Sequence, residues 1–247
     1  MNRVVNKTQQ VLFILLGITT ATSIAITNLV IGLLALCWII EGDFKNKFKT
    51  IKASKWMLSI FAMIALYVLG MLWGDIHQNA EWQFQRLALL LVFPILSTIA
   101  ISQLTIKRSV MAFLGTAFIS ALASILINNN IIQPLGEYLS FIQVSWRNAA
   151  FIAYNYHNVI LALSIILSLY ILIEKKTKYN YLLMIFIVVY ALSIFTERGR
   201  AGQVIFNLSA LFYIIYYNRK NFLRLLAFII LLFSFQFIVY KTTKVYK

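Results

Sequence analysis

"TQQVLFILLGITTATSIAITNLVIGLLALCWII", residues 8–40, decides the fold, because this whole stretch carries no charge. As one helix it would run about 50 Å, against a hydrocarbon core of roughly 30 Å. Thr19, Thr20, Thr22, Ser23, Thr27 and Asn28 interrupt its middle. Arg3 and Lys7 lie before it, and Lys45, Lys47, Lys49, Lys52 and Lys55 after it. Lysine and arginine next to membrane segments favour the cytoplasmic side, so both flanks belong inside. The stretch therefore predicts a hairpin of two short membrane helices, 11–26 and 28–40.

Composition extends this reading to the whole chain. Of 247 residues, 62% are hydrophobic and 12% charged, with mean hydropathy +0.84. A soluble globular domain carries about a quarter charged residues, so that class is excluded. Two prolines and nine glycines, without ten-residue alternation between turns, argue against a β-barrel. The expected fold is all-α: one integral membrane domain over 1–247, a polytopic bundle of about nine spans. Besides the hairpin, the apolar windows are 56–73, 86–102, 109–127, 157–173, 181–196, 201–217 and 221–240. No cleavable signal peptide is expected, since Arg3 and Lys7 precede an apolar stretch that is too long and lacks a small-residue cleavage site. Cys37 is the single cysteine and forms no intrachain disulfide.

The net charge of +15 does not point to nucleic acid, because the basic residues sit in short clusters between apolar runs. With the hairpin in place, the inner side holds the N-terminus, the Lys45–Lys55 loop, Lys107 and Arg108, Lys175, Lys176 and Lys178, and Arg219, Lys220 and Arg224. Up to residue 240 the outer side then carries only arginines: Arg86, Arg147, Arg198 and Arg200. Arginine's planar fork grips phosphate bidentately, whereas lysine acts as a point charge. Four arginines on one face would suit a diphosphate at the outer interface. The competing reading makes them ordinary snorkelling or loop arginines.

The densest of these outer signals is "FTERGRAGQ", Phe195–Gln203, where Glu197, Arg198 and Arg200 stand between two long apolar runs. Charges near hydrocarbon are costly and usually functional. The outer segment Trp73–Arg86, "WGDIHQNAEWQFQR", is polar and aromatic, as an interfacial loop is. The long outer loop Asn128–Asn158 mixes amides with Tyr138, Trp146, Tyr154 and Tyr156, which suits sugar faces and hydroxyls; belt aromatics look the same. His157, at the outer start of a span, is a candidate acceptor for a proton from a hydroxyl, or an interfacial hydrogen-bonding side chain. Asp75 and His77 lack a third metal ligand, so no metal is expected. No Walker loop, GxGxxG, HExxH or GxSxG occurs, and no cofactor is expected.

Four stretches carry a resemblance: "CWIIEGDFKNKFK" (Cys37–Lys49), "RLALLLVFPILS" (Arg86–Ser97), "NYHNVILALSIILSLYIL" (Asn155–Leu172) and "SIFTERGRAGQVIF" (Ser193–Phe206). Together they make the chain resemble the bacterial O-antigen ligase and O-antigen polymerase superfamily. The Gly199–Gly202 core of the last stretch is the most specific. The resemblance implies an inner-membrane enzyme that moves a glycan from an undecaprenyl-diphosphate carrier to a hydroxyl on a lipid or glycan acceptor at the periplasmic face. It implies that Arg200, with Arg198, Arg147 and Arg86, binds the diphosphate, and that His157 is catalytic. It also implies more chain beyond Lys247: a periplasmic loop bearing a histidine, then further helices. Two other functions compete: a flippase for lipid-linked saccharides, and a non-catalytic subunit of envelope-glycan assembly. A flippase should line the middle of its spans with charge, and mid-span charges are nearly absent here.

Overall fold

The computed structural model describes residues 3–73, 87, 89–132, 151–175, 180–196, 200–218, 223, 226, 230 and 234. Among these residues all regular structure is helical. The helices are α1 (Arg3–Thr20), α2 (Ile24–Glu41), α3 (Phe44–Ala53), α4 (Lys55–Trp73), a 3₁₀ turn (Leu89–Leu91), α5 (Val92–Thr98), α6 (Gln103–Asn128), α7 (Tyr154–Lys175), α8 (Asn180–Thr196) and α9 (Arg200–Asn218). The chain falls into two compact units, one formed by Met1–Leu16 and Ala25–Ser109, the other by Gly17–Ile24 and Val110–Lys247.

Three of the described helices are long and apolar enough to cross a membrane: Ile24–Glu41, Gln103–Asn128 and Tyr154–Ile173. A fourth span results if Phe44–Ala53 and Lys55–Met71, bent by 94°, count as one. The all-α class is therefore present, but the described residues carry three or four spans where the sequence suggested about nine. The window 86–102 illustrates the difference. Its described part is a 3₁₀ turn and a seven-residue helix, ended where Ile99 turns extended at ψ 132°. Asn180–Thr196 is apolar but only 17 residues long, and 221–240 lies almost wholly outside the described residues. Leu29, Leu66, Val188 and Leu208 are among many large apolar side chains left exposed. Water would penalise such surfaces, whereas hydrocarbon does not.

The first two helices pair as a hairpin, but of the two only Ile24–Glu41 is long and apolar enough to cross a membrane. The break comes a few residues earlier than the sequence suggested, in Gly17–Ile24, which groups with the second unit. The turn falls at Ala21–Ser23, where the backbone N–H groups of Thr22 and Ser23 both donate to the Thr19 carbonyl at 2.9 Å. Thr22 Oγ1 also bonds the Ile18 carbonyl, the local competition by which hydroxyls end helices. Leu12, Val30, Leu34 and Ile99 form the first unit's buried core. Gln9 near the start of α1 bonds Glu41 at the end of α2, so the two helices run antiparallel. Polar bonds hold α1 to the start of α6. Gln10 Oε1 accepts from Thr105 Oγ1 at 2.7 Å, and Ser109 Oγ donates to the Phe13 carbonyl at 2.7 Å. Ser102 caps α6 by accepting the Thr105 N–H at 3.1 Å.

The segment read from the sequence as the inner loop Lys45–Lys55 is helix α3. Gly42 at φ 70° and Asp43 at φ 53° make the corner, a left-handed conformation that glycine tolerates best. Beyond it Lys47 turns inward. Its Nζ lies 3.0 Å from Glu41 Oε2, donates to the Trp38 carbonyl at 2.7 Å and sits 4.6 Å from the Trp38 ring centroid. Only 6% of the Lys47 side chain and 8% of Glu41 are exposed. Trp38 Nε1 in turn donates to Thr98 Oγ1 at 2.8 Å. A lysine counted as a topology signal is thus the charged centre of a buried knot. The abundance of lysine hid the helical spacing of Phe44, Lys47, Phe48 and Ile51.

The second unit packs α6 through α9. Phe113, Leu114, Ala117 and Ala121 of α6 meet Leu161, Ala162 and Ile165 of α7 and Leu183, Phe186, Tyr190 and Ile194 of α8. The alanines permit close helix approach, the usual membrane solution where no hydrophobic drive separates helix from lipid. Phe118 stacks on Phe186 at 4.4 Å, and the Tyr190 hydroxyl donates to the Leu114 carbonyl at 2.6 Å.

Candidate functional site

Within the second unit, polar side chains collect where α7 and α9 begin. Helix α7 opens with Tyr154-Asn155-Tyr156-His157, and the Ala153 carbonyl accepts both the Tyr156 and His157 N–H groups at 3.0 Å. This fixes the first turn and directs His157 and Asn158 inward, where both are fully buried. His157 Nε2 lies 2.9 Å from Ser120 Oγ on α6, itself fully buried. Which of the two donates depends on the imidazole tautomer.

Helix α9 starts at Arg200, and its third residue makes the decisive contact. A Cβ built on Gly202 would stand 2.8 Å from the Asn158 carbonyl carbon and oxygen, and closer still to the Asn158 Cβ. Only glycine fits against that turn of α7. Further along, α9 is held to the end of α8. Gln203 Nε2 donates to the Ile194 carbonyl at 3.3 Å, and Phe206 meets Phe195 edge to face at 5.5 Å. Since α8 returns the chain, α7 and α9 begin at the same end of the unit. Their N-termini, the positive ends of the helix dipoles, therefore adjoin each other.

Away from this junction the interface carries hydroxyls. Ser120 and Ser124 on α6, Ser164 and Ser168 on α7 and Ser193 on α8 are all buried. Ser164 is satisfied within its own helix, donating to the Ile160 carbonyl at 2.8 Å. These groups are uncharged and small, so they let helices pack closely.

Of the residues singled out in the sequence, His157 is placed in full, buried and bonded to Ser120. Arg200 is the first residue of α9. Arg86, Arg147 and Arg198 lie outside the described residues, as do Asp75 and His77. Two of the stretches that carry the family resemblance do meet, through Asn158 of Asn155–Leu172 and Gly202 of Ser193–Phe206. Ser120 was not singled out; its signal is a pair of serines one turn apart, with Ser124, inside an apolar helix. Among the described residues no group of three His, Cys, Asp or Glu side chains gathers as a metal site.

The fold and composition thus define an apolar, helical protein with segments suited to a membrane. No family model matches the chain, and no curated protein or solved structure matches it either.

Proposed function

We propose that this chain is a membrane glycosyltransferase of the O-antigen ligase and polymerase kind. It would move a glycan from an undecaprenyl-diphosphate carrier to a hydroxyl acceptor at the periplasmic face of a bacterial inner membrane. One observation carries the reading: Gly202, two residues after Arg200, packs against Asn158, the neighbour of His157. The arginine-bearing turn and the histidine-bearing turn, far apart in sequence, are thereby joined at one end of one unit.

In this reading Arg200 holds the diphosphate, aided by Arg198 and Arg147. The acceptor hydroxyl oxygen attacks the anomeric carbon, and the bond from that carbon to the diphosphate oxygen breaks. The diphosphate leaves with the electron pair, and guanidinium groups stabilise the charge that builds on it. The hydroxyl proton passes to His157. Because the imidazole is buried against Ser120, an acceptor must displace one of its present partners to reach it.

Arg200→Lys and Arg200→Ala test this reading. One well-placed donor to developing charge contributes about 3 kcal/mol, so glycan transfer should fall at least about a hundredfold in both. Lysine fails to rescue because it lacks the fork. Surface glycan is read by blotting, with protein in the membrane fraction as control; normal display in either variant overturns the proposal. The buried hydroxyls along α6, α7 and α8 give a second reading, a saccharide-lipid flippase, its one structural support. A deletion strain separates the two. Lipid-linked glycan accumulates on the outer leaflet for a transferase and on the cytoplasmic leaflet for a flippase.

A further inference from the structure

We infer that α3 is an in-plane interfacial helix whose lysine arc binds the head groups of anionic phospholipids. At 100° per residue, successive arcs of this helix carry different chemistry. Lys47 and Ile51 are buried and form its packed side. Beside them Phe44 and Phe48, four residues apart, are 41% and 53% exposed. Next come Lys45, Lys49 and Lys52 within an arc of about 60°, all exposed. Asp43 is the one acidic residue at this helix, and its carboxylate accepts from Asn46 Nδ2 at 2.9 and 3.0 Å.

Geometry supplies the second part. The apolar helix that follows turns 94° from α3. If that helix runs along the bilayer normal, α3 lies flat on the surface, with Trp56, half exposed in the next helix's first turn, at head-group depth. The buried Lys47–Glu41 pair pins α3 in this orientation, so its free side is fixed in advance of any lipid. Aromatic rings can then enter the acyl boundary while the three lysines stay among phosphates, the arrangement of interfacial basic helices. The partner is a lipid surface bearing net negative charge.

The test uses the full chain in nanodiscs of phosphatidylcholine with or without phosphatidylglycerol. Bound lipid is counted by native mass spectrometry after release. The wild type should retain phosphatidylglycerol over phosphatidylcholine, and each lysine should contribute roughly fivefold to that preference. Lys45→Gln/Lys49→Gln/Lys52→Gln should remove most of it, as should raising the salt on the unaltered protein, which needs no variant to fold. A spin label at Phe48→Cys in a Cys37→Ser background should be relaxed more by oxygen than by a nickel chelate, and one at Thr50→Cys the reverse. No lipid preference in the wild type, or equal nickel access at both positions, overturns the inference. A preference that the triple variant keeps does so as well. An acidic protein in place of lipid would appear as the first of these results.

Discussion

Gly202→Ala is the sharpest perturbation of the junction between α7 and α9. Carbon atoms in contact settle about 3.5–4.0 Å apart. The new methyl would start 2.8 Å from the Asn158 carbonyl carbon and oxygen, which belong to the backbone of a packed helix and cannot rotate aside. The helices must separate by about 0.7 Å or more at this point. Overpacking of this kind typically costs about 1–3 kcal/mol. Alanine offsets part of that by its helix propensity, worth at most about 1 kcal/mol over glycine and less in a first turn. The net loss should be about 1–2 kcal/mol, or roughly 2–8 °C in melting temperature for a chain of this size. Thermal unfolding of the purified protein in detergent, followed by size-exclusion chromatography, measures it. Asn158→Gly removes one of the three colliding atoms, so the double variant should be less destabilised than the two single losses summed. A Gly202→Ala protein that melts at or above the wild type would refute the close approach. Under the proposed function the same shift displaces Arg200, and a misplacement near 1 Å lowers transfer about a hundredfold.

Other substitutions probe separate parts of the argument. Ser120→Ala leaves the buried His157 Nε2 without its hydroxyl partner, and should cost about 1–3 kcal/mol, seen as a lower melting temperature; an unchanged melting temperature would show that this bond contributes nothing. Lys47→Met strands Glu41 in a buried setting and should cost about 3–5 kcal/mol, whereas Lys47→Met/Glu41→Met should recover most of the loss. If the double variant is no more stable than the single, the pair is not the unit that matters. Under the proposed function, Arg200→Ala and Arg200→Lys should insert normally in cells yet lose surface glycan to the same degree, which blotting decides.

The broad class was legible from residues alone because hydrophobic content and charge spacing are additive properties of a chain. The uncharged run 8–40 exceeds what one crossing can hold, and the chain does turn within its hydroxyl-rich middle, at Ala21–Ser23. The pair of turns holding His157 and Gly202 was also visible as polar text inside apolar text. What stayed hidden was how those turns combine. Gly202 is one of nine glycines, and nothing local distinguishes the one that lies against another helix's carbonyl. Ser120 looked like any serine in an apolar helix until the fold set His157 beside it.

Lys47 shows the same division in charge. In sequence it is one of several lysines after a span, and the positive-inside rule counts all of them alike. The fold buries this one against Glu41 and Trp38 and leaves Lys45, Lys49 and Lys52 outward. Thus the sequence by itself determined an all-helical, membrane-suited chain with a break inside its first uncharged run, because those follow from local composition and length. Tertiary structure alone decided that Asn158 meets Gly202, that His157 meets Ser120 and that one lysine of the cluster turns inward. Such contacts join residues far apart in the chain, and their energy comes from packing and desolvation that no local window contains.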